Sequence, residues 1–246
     1  MRFIDLSHPL ESGQPSFPGD PIIRFRRHAA MPAAPCNVLE MTMSTHQGTH
    51  LDAPYHFYED GRTVDEIDLS RLYGPATVVD LAPGGELPAR APLTVDRFVP
   101  HEKHFVPGAR VAYRTGWDRR FGRPEFFTDF PTLTLDAARW IAGRRIGLLG
   151  MDTPTPSVDF LECHLILLAP AVDIVLVESL AGLERLPERF TLAAFPLRVR
   201  RGDGAPIRAV ALVDLQGGGR AGRELAEVTV NSTVDRVHFH SARKSS

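Results

Sequence analysis

Cysteine is scarce in this chain of 246 residues. There are two, Cys36 and Cys163. They form no C-x-x-C pair and cannot supply a four-thiolate zinc site. The expectation is two reduced, partly buried thiols. Net charge is also small, −2 at pH 7. There is therefore no basic footprint for nucleic acid or for an anionic membrane. The local excess Arg198, Arg200 and Arg201 in "FPLRVRRGDG" reads as a solvated strand edge or turn. Long apolar runs are missing, and none reaches spanning length. The opening "MRFIDLSHPL" lacks the apolar core of a signal peptide or membrane anchor. A cytoplasmic enzyme or binding protein is expected, acting on a small molecule. The sequence also has no internal repeat, no G-x-S-x-G elbow and no phosphate-cradling glycine loop.

What is present suits one large domain or two small ones, long enough to fold without staples. Prolines and glycines are spread throughout, which favours short elements and tight loops. "RFIDLSH" reads as a first strand and "SGQPSFPGDP" as a turn-rich loop. "NVLEMTMSTH" alternates: Leu39, Met41 and Met43 point one way, Thr42, Ser44 and His46 the other. That predicts a strand with one polar, functional face, ending near His46. "GPATVVDLA" predicts a buried strand after a turn at Gly74-Pro75. "ARVAYRTGW" and "RIGLLGMDTP" predict further strands. "TLDAARWIAGR" predicts a helix capped by Thr134 and stopped at Gly143. "FLECHLILLAP" predicts a short helix. The β-branched run "DIVLVESL" predicts a buried strand, and "IRAVALVDL" the last clear one. Together these predict an α/β single domain with a mixed β-sheet core flanked by helices. The end, with its glycines and polar tail, is expected to be partly ordered.

The densest chemistry lies in "STHQGTHLDAPYHF", read as H-x3-H-x-D-x3-H over His46, His50, Asp52 and His56. Gly48, two β-branched threonines and Pro54 make a helix unfavourable here. A kink at Gly48 and a short extended piece fit better. That piece puts His50 and Asp52 on one side and Leu51 on the other. Ala53, before a proline, is held extended, and His56 enters from beyond that corner. Three side chains can then converge while a fourth stands nearby. Imidazole and carboxylate without thiolate suit Zn²⁺ or Mn²⁺ at a catalytic site. Glu178 closes the buried run Ile174 to Val177, where a carboxylate is costly unless paired or metal-bound. Elsewhere, Asp152 in "GMDTP" could line a pocket or cap a turn. His101 and His104 read as loop residues, and His238 and His240 as solvent-facing.

"HQGTHLDAPYHF" resembles the signature of the metal-dependent cyclase family, which includes bacterial kynurenine formamidases and isatin hydrolases. "FIDLSHPL", "FPGDP", "GMDTPTPSVD", "CHLILL", "VLVESL" and "FPLRVRRGDGAPIRAVAL" follow in the family's order. The resemblance runs from Arg2 to Leu215. It implies a swivelling β/β/α, cyclase-like hydrolase domain over residues 1–215, with 216–246 as a C-terminal extension. It implies His46, His50 and Asp52 as ligands of a first metal, with Asp52 bridging to a second. His164 resembles a distant histidine ligand, Glu178 a bridging carboxylate, and His56 the catalytic acid/base. One or two zinc ions are implied, with manganese as the alternative, in a homodimer or homotetramer. The implied reaction is hydrolysis of N-formyl-L-kynurenine to L-kynurenine and formate. Isatin or another cyclic amide or lactone is the alternative substrate, and a non-catalytic metal-binding member the further one. Kynurenine formamidases usually carry tryptophan where this chain has Phe17, which can stack on a substrate but offers no N–H donor. "HEKHFVPG" and "FGRPEFFTDF" are added segments, and the spacing from His164 to Glu178 is slightly stretched.

Overall fold

A computed structural model of the chain describes residues 1–214. The extension 216–246, with His238 and His240, lies outside the described residues. The strands are β1 (Arg2–Asp5), β2 (Arg24–Ala29), β3 (Val38–Thr42), β4 (His50–Asp52), β5 (Tyr73–Asp80), β6 (Pro92–Leu93) and β7 (Arg110–Arg114). They continue with β8 (Thr132–Leu133), β9 (Leu148–Met151), β10 (Val175–Glu178), β11 (Arg189–Ala193), β12 (Gly204–Pro206) and β13 (Val210–Val213). Three α-helices join them: α1 (Val95–Phe98), α2 (Leu135–Gly143) and α3 (Phe160–Leu167).

Nine strands form one mixed sheet in the order β1-β13-β11-β5-β7-β9-β10-β4-β12. Its centre, β5-β7-β9-β10, is parallel. The wings on both sides are antiparallel. Parallel neighbours need a crossover. The links β5–β7, β7–β9 and β9–β10 supply it, carrying α1, α2 and α3 in turn. Parallel strands with both faces covered run apolar throughout, and β10 does: Val175, Leu176 and Val177 are all buried. Val175 and Val177 join one core cluster, and Leu176 the other. The second cluster includes Ala137, Ala138 and Ile141 of α2 and Cys163 and Leu167 of α3. The first draws Ile4, Leu51, Ala205 and Ala211 from both wings, so the curled sheet packs both wings into one core with the central strands.

Helix α2 follows its sequence closely. The Thr134 side chain accepts from Ala137 N, leaving fewer orphan N–H groups in the first turn. Four expectations change. The strand read from "NVLEMTMSTH" ends at Thr42 and pairs only with β2 in a separate ribbon. Its alternation marks no buried face: Leu39 is 54% exposed and Met41 59%. Gly74 and Pro75 lie inside β5, not in a turn before it. Gly74 takes φ +134, which a side chain rarely adopts. His104 ends a 3-10 turn, buried, with Nε2 3.2 Å from Glu188. Of the two thiols, Cys36 is exposed and Cys163 fully buried.

Candidate metal centre

The centre is built from loop and strand ends, for a backbone reason. Residues 43 to 49 form a bent connection, with Gly48 at φ +65. Beyond the bend, β4 enters the sheet between β10 and β12. Its register sets His50 opposite Glu178 and Asp52 opposite Gly204. Leu51 points to the core and leaves His50 and Asp52 on the other side. Pro54–His56 then form a 3-10 turn that returns His56 towards His46. The two rings stack at 3.9 Å with a 27° interplanar angle. His164 comes from the last turn of α3, buried and stacked on Phe57 at 4.4 Å.

All six residues singled out for metal or catalysis therefore meet in one place. Asp52 is the hub. Its Oδ1 lies 2.8 Å from His46 Nδ1 and 3.3 Å from His50 Nε2, and its Oδ2 3.6 Å from His164 Nε2. Glu178 stands across from it, 3.4 Å from both His50 Nε2 and His164 Nε2. Asp52 belongs to two sets of ligand atoms that lie within 4.8 Å of one another, His46–Asp52–His56 and His50–Asp52–Glu178.

The donor set fits a divalent ion. His50 donates from Nδ1 to the Gly48 carbonyl at 2.8 Å, and His164 from Nδ1 to the Phe160 carbonyl at 2.6 Å. Each ring is thereby anchored outwards, and its other nitrogen faces the two carboxylates. That is the arrangement in which a histidine is oriented as a ligand. Glu178 Oε1 is buried without a hydrogen-bond partner, a cost that metal coordination removes. Burial alone would keep His164 neutral, but Asp52 and Glu178 outweigh it and raise its pKa to about 10. Burial likewise opposes a charge on His46, and Asp52 and Asp203 raise its pKa to about 9. Asp52 is pushed up by burial but held well below the usual range by His46 and its other imidazole neighbours. Without metal the imidazoles bind protons, so an incoming cation competes with them.

The centre opens into a pocket of about 670 Å³, part of it open to solvent. Phe17, Phe57, Phe127 and Phe160 form much of its wall. Phe17 meets Phe160 edge-on at 5.8 Å. Phe127 comes from the added segment "FGRPEFFTDF", to which the sequence assigned no role. Asp152 is absent from the pocket wall. It is fully buried and accepts hydrogen bonds from Thr115 N, Thr115 Oγ1 and Gly116 N, so it organises a turn. Asp203 is the site residue that sequence reasoning missed. It sits between two glycines and beside Arg200 and Arg201, which drew attention to charge in that stretch rather than to the carboxylate.

A curled mixed sheet bearing a buried His/Asp/Glu centre, open to an aromatic pocket, defines a metal-site enzyme. The chain belongs to the Cyclase family, whose sequence profile matches residues 4–159. It is 35% identical over 215 residues to the kynurenine formamidase of Erythrobacter litoralis (strain HTCC2594), covering 85% of this chain and 93% of that one. To the kynurenine formamidase of Bacillus mycoides (strain KBAB4) it is 31% identical over 216 residues, covering 85% and 96%. Among solved structures, isatin hydrolase A from Labrenzia aggregata bound to benzyl benzoate superposes with a TM-score of 0.75. Identity to it is 27%, covering 85% of this chain and 93% of that one.

Proposed function

We propose that the chain is a metal-dependent hydrolase domain over residues 1–215 that cleaves the C–N bond of an aryl formamide. N-formyl-L-kynurenine is the first substrate, giving L-kynurenine and formate. The observation that carries this reading is His56, a partly exposed imidazole beside a buried ligand cluster, on the wall of an aromatic pocket. The similarity to kynurenine formamidases over most of the chain supports it. In this reading His46, His50, Asp52, His164 and Glu178 hold one or two zinc ions, with manganese as the alternative. When bound, the ion supplies Lewis acidity, polarising the formyl carbonyl and acidifying a water molecule. His56 takes the proton from the attacking water and gives it to the aryl nitrogen as the C–N bond breaks. An anilide leaves poorly without that proton, and such acid–base help is worth about 10²–10⁴ in rate. Phe17, with Phe57, Phe127 and Phe160, stacks the aryl ring and excludes water.

The likeness to isatin hydrolases supports a second reading, in which the substrate is a cyclic aryl amide. The ring then keeps the amine attached after cleavage, and His56 has the same task. The reading includes a cytoplasmic homodimer or homotetramer, and the exposed Leu39 and Met41 support self-association. The deciding test is a panel of N-formylkynurenine, formanilide, isatin and an aryl lactone, given to zinc- and manganese-loaded protein. At least one aryl amide is turned over, and Asp52→Ala loses both metal and activity. Full metal occupancy with every substrate untouched would sink the enzyme reading.

A further inference from the structure

Asp203 stands directly before β12, and its carbonyl accepts from Ala53 N at 2.9 Å. Pairing of β12 with β4 then fixes its carboxyl group beside the ligand strand. The next residue makes room for a ring. A Cβ at Gly204 would lie 2.8 Å from His46 Cε1 and 2.7 Å from the Leu51 carbonyl oxygen, so only glycine lets the imidazole settle there. Thr45 Oγ1 donates to Asp203 Oδ1 at 3.0 Å, which orients the carboxylate. The other oxygen, Oδ2, faces two imidazoles. It lies 2.9 Å from His46 Nε2 and 3.6 Å from His56 Nδ1.

A neutral imidazole carries one N–H. Without metal, His46 Nδ1 is a donor to Asp52 at 2.8 Å. In the neutral, metal-binding ring the one N–H stays on Nε2 towards Asp203, and the Nδ1 lone pair is left for the ion. His46 then differs from His50 and His164, whose Nδ1 groups are the anchored ones. The same carboxylate oxygen, 3.6 Å from His56 Nδ1, is beyond hydrogen-bond reach and acts by charge. It favours the Nδ1–H tautomer that leaves Nε2 as the nitrogen free to move a proton. We propose that Asp203 is a positioning residue of the centre, its Oδ2 presenting His46 through Nδ1 to the metal and His56 through Nε2 to the substrate. This inference rests on the metallohydrolase reading above and assigns one carboxylate to two imidazoles with different duties.

The test compares full-length wild type with Asp203→Asn, which keeps the shape and removes the charge. In zinc competition against a chelator, Asp203→Asn should bind about 10–100-fold more weakly, the usual cost of losing a carboxylate behind a ligating histidine. Its kcat for the hydrolysed aryl amide should fall at least tenfold while KM stays near the wild-type value. Asp203→Glu should recover part of both losses. Long-range ¹H–¹⁵N spectra of the zinc-loaded wild type should show His46 protonated at Nε2. Unchanged zinc affinity and kcat in Asp203→Asn, or His46 protonated at Nδ1, overturns the inference. If Asp203→Asn does not fold, Thr45→Val loosens the same carboxylate. It should lower zinc affinity and kcat several-fold, and wild-type values would equally overturn the proposal. Failure of the underlying reading looks different: there, wild type itself binds no zinc or turns over nothing.

Discussion

Replacing His56 with alanine separates its two possible duties, because proton transfer and metal binding lose different amounts. Loss of a general acid–base group costs about 10²–10⁴ in kcat. At about 1.36 kcal/mol per factor of ten, that is about 2.7–5.4 kcal/mol on the barrier. The structural loss is smaller. The His56 side chain is 27% exposed, and its main packing partner is the His46 ring. An aromatic pair of this kind is worth about 0.5–1.5 kcal/mol. The fold therefore survives, and His46, His50, Asp52, His164 and Glu178 stay in place. The rival is real, since His46, Asp52 and His56 also form a compact ligand set. Zinc content after gel filtration, read together with kcat on N-formylkynurenine, decides between them. Zinc retained with kcat down at least a hundredfold is the expected result. Kinetics on an aryl formate ester sharpen it. A phenolate leaves without a proton, so the ester rate should fall less than the amide rate. Zinc lost in step with activity would refute the acid–base role and make His56 a ligand.

Two further predictions concern the frame around the centre. His8 stacks on Phe121 at 3.8 Å, with Nε2 buried and unpartnered, and burial pushes its pKa from 6.5 down to about 4. The unfolded imidazole takes a proton first as pH falls. The stabilisation is thus complete above pH 6.5 and lost as pH drops from 6.5 to 4, at most about 3 kcal/mol. Urea melts of wild type and His8→Gln at pH 7 and 4.5 should converge at the lower pH, whereas parallel shifts would exclude His8 as the cause. Gly48 takes φ +65, and a Cβ there would lie 2.5 Å from Leu10 Cδ2. Gly48→Ala should cost about 1–2 kcal/mol from the left-handed backbone, and should weaken zinc binding because His46 and His50 flank the bend. A variant with wild-type melting temperature and zinc affinity would show that the bend tolerates a side chain.

Much of the centre is legible in the chain order because its first part is local. Four of its side chains fall within eleven residues, and Gly48, Leu51 and Pro54 between them dictate a bend, an inward residue and a corner. Helix α2 is equally legible, because a Thr cap and a buried apolar stripe are short-range signals. The β10 strand is legible because a β-branched run has few other places to go. The β2–β3 ribbon misleads for the converse reason. Alternation in β3 marks an amphipathic surface only if another layer covers one face, and none of the described elements does. Phe127 is hidden in an added segment whose only local signal is aromatic content.

Residue types and spacing alone determined which local side chains could hold a metal: imidazoles and a carboxylate gathered along a kinked segment, with no thiolate. Only the tertiary structure decided which atoms of that set face one another. Pairing of β4 with β10 and β12 brings Glu178 to His50 and Asp203 to His46, each from more than a hundred residues away. A carboxylate flanked by two glycines looks like a turn until the sheet register sets it against a histidine. Strand pairing is a contact between distant segments, and no local pattern within either segment encodes its partner.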